Sequence, residues 1–141
     1  MSARPTPVNP GLPRPARLEP VAALAGARVL VVDDTAVVAQ ATSRILETFG
    51  CSASISRSHA DATRRLAEPQ GWDLVLADVD LGDGDGRTLV SLARGRGAAI
   101  IITSGQPDLQ AADARGVRYL PKPWSIDRLL STVEEALASR A

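Results

Sequence analysis

The sequence is poor in the side chains that carry most enzyme and metal chemistry. It has one cysteine, Cys51, one histidine, His59, and one each of methionine, tyrosine and phenylalanine in 141 residues. A single cysteine excludes an internal disulfide and fits a reducing compartment; it is expected as a buried strand sulfur. With its only Cys and His away from the acidic motifs, the chain lacks the donors of a zinc site. An excess of charge is also missing, since 16 Lys and Arg balance 16 Asp and Glu. No global basic field is present to favour nucleic acid or an anionic membrane surface. No apolar run approaches the roughly 20 residues of a membrane span, and the N-terminus lacks the hydrophobic block of a secretion signal. A soluble, cytoplasmic protein without nucleic-acid or membrane partners is expected.

What is present is one core's worth of apolar residues, 45% of the chain, arranged in alternating short runs and helix-period segments. Residues 1–26 stand apart. They hold six of the ten prolines and three arginines, with little apolar periodicity, and are expected to form a flexible tail; residues 27–141 form the single domain. Apolar runs at 29–32, 51–55, 73–77, 98–102 and 117–120 predict five strands. Helices are predicted at 35–49, from Ser58 to about 66, around Leu89, Leu92 and Ala93, at 108–114, and after Ser125. Ser58 and Ser125 are natural N-caps. The stripe Ile126, Leu129, Leu130, Val133, Ala136 and Leu137 makes the last helix the clearest. The helix at 108–114 offers only Leu109 and small alanines to the core and is expected to be loosely held. Such alternation predicts an α/β fold with a single doubly wound, five-stranded parallel sheet covered by helices on both faces.

In open parallel sheets, ligands sit beyond the carboxyl ends of the strands. The first strand ends in Asp33 and Asp34, the third in Asp78 and the fourth in Thr103 and Ser104, while Lys122 follows the fifth. Carboxylates crowded at one edge repel one another unless a cation or a proton offsets the charge. A hard divalent ion such as Mg²⁺, which takes oxygen ligands and keeps several waters, fits that need. A third carboxylate beside such an ion can attack phosphorus and form an acyl phosphate, given cationic and hydrogen-bonding groups aimed at the transferred oxygens. Lys122 and Thr103 supply them.

The segments VLVVDDTAVV, DLVLADVDLGDGDG, IIITSG and YLPKPW, spread over about residues 28–139, resemble the receiver domains of bacterial two-component response regulators. The resemblance implies the flavodoxin-like (CheY-like) strand order 2-1-3-4-5. It also implies that Asp78 is the phosphoacceptor and that Asp33, Asp34, Asp78 and the backbone carbonyl of Asp80 hold Mg²⁺. Thr103 and Lys122 would be the hydroxyl and lysine of the site, and Thr103 and Tyr119 the switch pair. The phosphoryl donor would be a histidine kinase or phosphotransfer protein. A downstream protein would read the face made by the fourth helix, fifth strand and fifth helix. Self-phosphorylation and self-dephosphorylation would then be the only chemistry, so the domain is expected to signal rather than to act as an enzyme. The last helix ends near Ala141, and a stand-alone regulator is expected ahead of a receiver excised from a hybrid kinase.

Taken singly, these residues have plainer explanations. Asp34 would cap the first helix, Thr103 would be a strand-end residue, Lys122 a solvated surface charge and Tyr119 a core-edge aromatic. Only their joint occurrence overturns these readings. Asp83 and Asp85, flanked by glycines, are expected as turn residues, His59 as exposed, and Trp124 as packed at the base of the last helix. An EF-hand is excluded, because Leu81 and Leu92 stand where oxygen ligands are required. One rival remains. LVLADVDLG also resembles the first motif of haloacid-dehalogenase-type phosphatases, with Asp78 as nucleophile and Asp80 as general acid, but that family's acidic pair follows its lysine, whereas Asp33 and Asp34 come first here. A scaffold that keeps only the fold is disfavoured, since the full residue set is present.

Overall fold

The structure, a computed structural model, describes residues 24–105 and 117–139. Five strands form one parallel sheet: β1 (Arg28–Val32), β2 (Ser52–Ser56), β3 (Leu74–Asp78), β4 (Ala99–Ser104) and β5 (Val117–Pro121). Their order is β2-β1-β3-β4-β5, the order the resemblance implied. Around them lie α1 (Ala36–Thr48), α2 (His59–Ala67), α3 (Leu89–Gly95) and α4 (Ile126–Ala138). The helix expected at 108–114 and residues 1–23 of the expected tail lie outside the described residues.

Strand periodicity explains the layering. Val29, Val31, Leu74, Leu76, Ala99 and Ile101 point to one face and pack with α1 and α4. Their neighbours Leu30, Val32, Val75, Ala77, Ile100 and Ile102 point to the other, against α2 and α3. The inner strands β1, β3 and β4 are thus buried on both faces, which is why they read as unbroken apolar runs rather than alternating ones. Burying each such Val, Leu or Ile side chain contributes about 1.5–3 kcal/mol. The helices follow from the same logic at a different period: α1 buries Ala39, Thr42, Ser43 and Leu46, and α4 buries Leu129, Leu130, Thr132, Val133 and Ala136. Ser58 and Ser125 accept hydrogen bonds from the Asp61 and Arg128 N–H groups at 3.0 and 3.1 Å, capping α2 and α4 as expected. Beyond α1 the chain turns at Gly50 with φ of 111°, a conformation that favours glycine.

Several local expectations need correction. Leu24, assigned to the tail, is fully buried in the core with α1 and α4, so ordered packing starts before residue 27. Cys51 is buried but precedes β2 rather than lying in it; burial, with help from the Asp73 charge, pushes its thiol up to about 11. Leu92 is 40% exposed, because α3 is only two turns long and turns Leu89 and Ala93 inward instead. The plainer reading of Asp34 as a helix cap, already set aside by the joint pattern, falls away too, since Thr35 holds that position without a side-chain capping bond.

One glycine is required by packing. Gly86 closes the loop that follows β3 and is buried, its N–H donating to the Val79 carbonyl at 2.9 Å. A Cβ placed there would stand 2.0 Å from the Asp78 carbonyl oxygen. Gly86→Ala is therefore expected to destabilise the fold by about 1–3 kcal/mol, measured by urea denaturation. An unchanged midpoint would show that the loop is not packed against the end of β3.

Candidate functional site

The sheet ladder continues past the strand ends and fixes the side chains there. Asp33 N–H donates to the Ser56 carbonyl at 3.0 Å, Val79 N–H to Thr103 at 3.1 Å, and Lys122 N–H to Ser104 at 2.8 Å. Asp78 lies directly opposite Thr103 in the register of β3 and β4. Lys122 precedes Pro123 through a cis peptide bond.

These constraints bring Asp33, Asp34 and Asp78 together, with one carboxylate oxygen from each within 4.8 Å of the others. Asp33 and Asp78 are only 4% and 9% exposed, whereas Asp34 is exposed. The two buried carboxylates are held in the same way. Oδ1 of Asp33 accepts the Thr35 N–H at 2.9 Å, and Oδ1 of Asp78 accepts the Asp80 N–H at 3.2 Å. Their Oδ2 atoms share Lys122, whose Nζ lies 3.5 Å from Asp33 and 3.2 Å from Asp78. Trp124, Val31, Val38 and Leu76 line the crevice on which Asp33, Thr103 and Lys122 border. Burial pushes the Asp78 carboxyl above its ordinary range and the Asp33 charge adds to this, while Lys122 and the Asp80 N–H hold it back.

Two of the three clustered carboxylates, Asp33 and Asp78, thus share the Lys122 ammonium. All the clustered side-chain donors are hard oxygens, without nitrogen or sulfur, so the donor set fits a small hard divalent cation. Thr103 Oγ1 is buried and finds no hydrogen-bond partner among the described residues, whereas burial pushes the Tyr119 hydroxyl up and a hydrogen bond with Ser104 holds it back. Tyr119 sits opposite Ile102 on β5 and packs against the core shared with α2 and α3. Asp80 stays exposed at the mouth of the loop, paired through its backbone with Asp85. Trp124 packs against the core that contains α4, as expected.

Sequence reasoning gave Asp83, Asp85 and His59 too small a part. Asp83 accepts the N–H groups of His59 and Ala60 at 2.7 and 3.1 Å. Asp85 accepts the Arg87 N–H at 2.8 Å and pairs with its guanidinium at 2.6 Å. His59 is half-buried, with Nε2 2.5 Å from Thr88 Oγ1. The glycine-flanked acids hinted at a turn, but no local signal joins residue 83 to residue 59, 24 positions earlier.

A doubly wound sheet that gathers an acidic cluster, a hydroxyl and a lysine at its carboxyl edge defines a class of phosphate-handling regulatory domains. Residues 29–134 match the family described as Response regulator receiver domain, and the chain belongs to that family, whose members are phosphoacceptors in two-component signalling. It is 30% identical over 122 residues to the DNA-binding transcriptional regulator NtrC of Azospirillum brasilense, covering 82% of this chain and 25% of that protein. It is 31% identical over 112 residues to the swarming motility regulation protein RssB of Serratia marcescens, covering 75% of this chain and 51% of the relative. The chain therefore spans between a quarter and about half of these regulators. Among solved structures, the receiver domain of the hybrid histidine kinase CckA aligns with a TM-score of 0.68 at 31% identity, over 79% of this chain and 99% of that one. A response regulator receiver protein from Sinorhizobium medicae aligns with a TM-score of 0.76 at 22% identity, over 82% and 98%, and supports the fold. No helix among the described residues is long and apolar enough to cross a membrane.

The raised Asp78 has a consequence for stability. The folded state keeps this proton to a higher pH than the unfolded chain, which releases it near the ordinary value of 3.8. Stability therefore falls as pH climbs from 3.8 through the folded value, and the loss persists at neutral pH. Without divalent ions, Asp78→Asn is expected to melt above wild type at pH 7, with the gap closing below the ordinary carboxylate value. Thermal melts across pH check this; an equal gap at both extremes would contradict it.

Proposed function

We propose that Asp78 accepts a phosphoryl group from a histidine kinase or phosphotransfer protein, and that the phosphorylated domain is read by a downstream protein. The observation that carries this reading is the shared ammonium: Lys122 Nζ stands within 3.5 Å of carboxylate oxygens from both Asp78 and Asp33. Lys122 opposes the pull of burial on the Asp78 carboxyl and so favours the ionised form, whose oxygen is nucleophilic. That oxygen forms a bond to phosphorus as the bond to the donor breaks, and the donor leaves with the electron pair. Lys122 then faces the oxygens of the transferred group, and the unpartnered Thr103 hydroxyl is free to donate to one of them. Asp33, Asp34 and Asp78, with the backbone carbonyl of Asp80, would hold Mg²⁺, which when bound neutralises charge on the phosphoryl oxygens.

Transfer adds a dianion beside Thr103. Movement of Thr103 toward it, with Tyr119 turning inward behind, biases a two-state equilibrium at the face of β5 and α4. Partners recognise that face, in the cytoplasm, and the domain's own chemistry is confined to gaining and losing the phosphoryl group. A phosphatase using Asp78 and Asp80 is not favoured, since residues 29–134 match receivers and the relatives are regulators.

Incubation with acetyl phosphate and Mg²⁺, followed by intact mass measurement, is expected to show one phosphoryl group on wild type and none on Asp78→Asn. Equal labelling of the variant, or steady turnover of small phosphate esters, would overturn the assignment. The exposed Asp80 places a further negative charge beside the acceptor, where it bears on the approach of water. Asp80→Asn is expected to change the lifetime of the phosphorylated form several-fold; identical decay of the two proteins would remove that role.

A further inference from the structure

The loop at 79–86, which carries Asp80 next to the acceptor, is secured from inside and from outside. Internally it closes as a narrow hairpin. Asp80 and Asp85 pair antiparallel, Leu81 N–H donates to the Gly84 carbonyl at 3.2 Å, and Gly86 N–H to Val79 at 2.9 Å. Externally it is fastened to the first turn of α2. Asp83 Oδ1 accepts the His59 N–H at 2.7 Å and Oδ2 accepts the Ala60 N–H at 3.1 Å. These are two of the helix-start donors that have no partner within the helix.

The His59 side chain closes the same junction. Its ring lies against Gly84, where a Cβ would come within 2.8 Å of it. Its Nε2 meets Thr88 Oγ1 at 2.5 Å, and since the Thr88 hydroxyl already donates to the Asp85 carbonyl at 2.7 Å, the imidazole must be the donor. Two segments distant in sequence are thereby joined by both oxygens of one carboxylate and by one ring. The negative charge of Asp83 is also directed at a helix N-terminus, where it is stabilised, and the two N–H bonds hold its carboxyl below the usual range.

We infer that Asp83 is a positioning residue for the phosphoryl site, fastening the loop to α2 so that the Asp80 N–H stays on Asp78 Oδ1 and the Asp80 carbonyl stays where a divalent ion needs it. Helix α2 thereby becomes part of the support of a site it does not touch. The metal aspect rests on the function proposed above, whereas the fastening stands on the hydrogen bonds alone.

The test uses the full chain as wild type, Asp83→Ala, Asp83→Asn and Gly84→Ala. Mg²⁺ binding is followed by the fluorescence of Trp124, which lines the crevice with Asp33 and Lys122. Amide ¹H–¹⁵N spectra are recorded without metal. Asp83→Ala is expected to weaken Mg²⁺ binding by about tenfold and to shift the amides of His59, Ala60 and Asp80. Asp83→Asn, which keeps one acceptor oxygen, should fall between the two. Gly84→Ala, which drives a methyl group into the His59 ring while leaving the carboxylate intact, should follow Asp83→Ala. If Asp83→Ala fails to fold, the other two variants carry the decision. Wild-type Mg²⁺ affinity together with an unmoved Asp80 amide in the folded variants would overturn the inference. Failure of wild type itself to bind Mg²⁺ would instead overturn the metal reading, and the amide shifts would still decide the fastening.

Discussion

The repulsion among Asp33, Asp34 and Asp78 is the constraint around which the rest of the molecule is organised. Two of these carboxylates are buried, and Lys122 is the cation shown paired with them. Folding therefore stores an electrostatic imbalance at one sheet edge, made tolerable by backbone N–H donors from Thr35 and Asp80. A site with charge left over has capacity for a cation. With the Asp78 carboxylate only partly compensated by Lys122 and the Asp80 N–H, the nucleophilic role proposed for it has a physical basis.

Holding such an arrangement requires a stiff frame, and the sheet supplies it. Strands β1, β3 and β4 are packed on both faces, so their ends have little freedom to relax away from one another. Backbone bonds from Asp33, Val79 and Lys122 extend the ladder into the site. Gly86 lets the following loop fold directly against the Asp78 carbonyl. The Thr103 hydroxyl, buried and unpartnered among the described residues, is the group whose surroundings would change most under the proposed phosphoryl transfer. A rigid acidic floor beneath an unsatisfied hydroxyl is the physical basis of the switch proposed above.

Much of this was legible in the sequence because it is encoded locally. Apolar runs marked the strands, Ser58 and Ser125 marked helix starts, and strand-end residues marked the site, since a strand's last residue projects at the sheet edge whatever its neighbours do. What was not legible depends on residues distant in the chain. The turn residues Asp83 and Asp85 looked sufficient as turn formers, and only the approach of α2 gives Asp83 its two donors. His59 looked exposed because nothing beside it in sequence supplies Gly84 or Thr88. Asp34, by contrast, was read from the joint pattern as part of the acidic group, and it stands in that cluster while Thr35 occupies the cap position. Leu24 looked like part of a proline-rich tail, and its burial depends on core residues from α1 and α4.

Calorimetric titration with Mg²⁺ tests the central electrostatic claim most directly. Binding of one ion per chain, lost in Asp33→Asn combined with Asp34→Asn while that variant remains folded, is the expected result. A wild-type protein that takes up no ion, or a double variant that binds as wild type does, would contradict it.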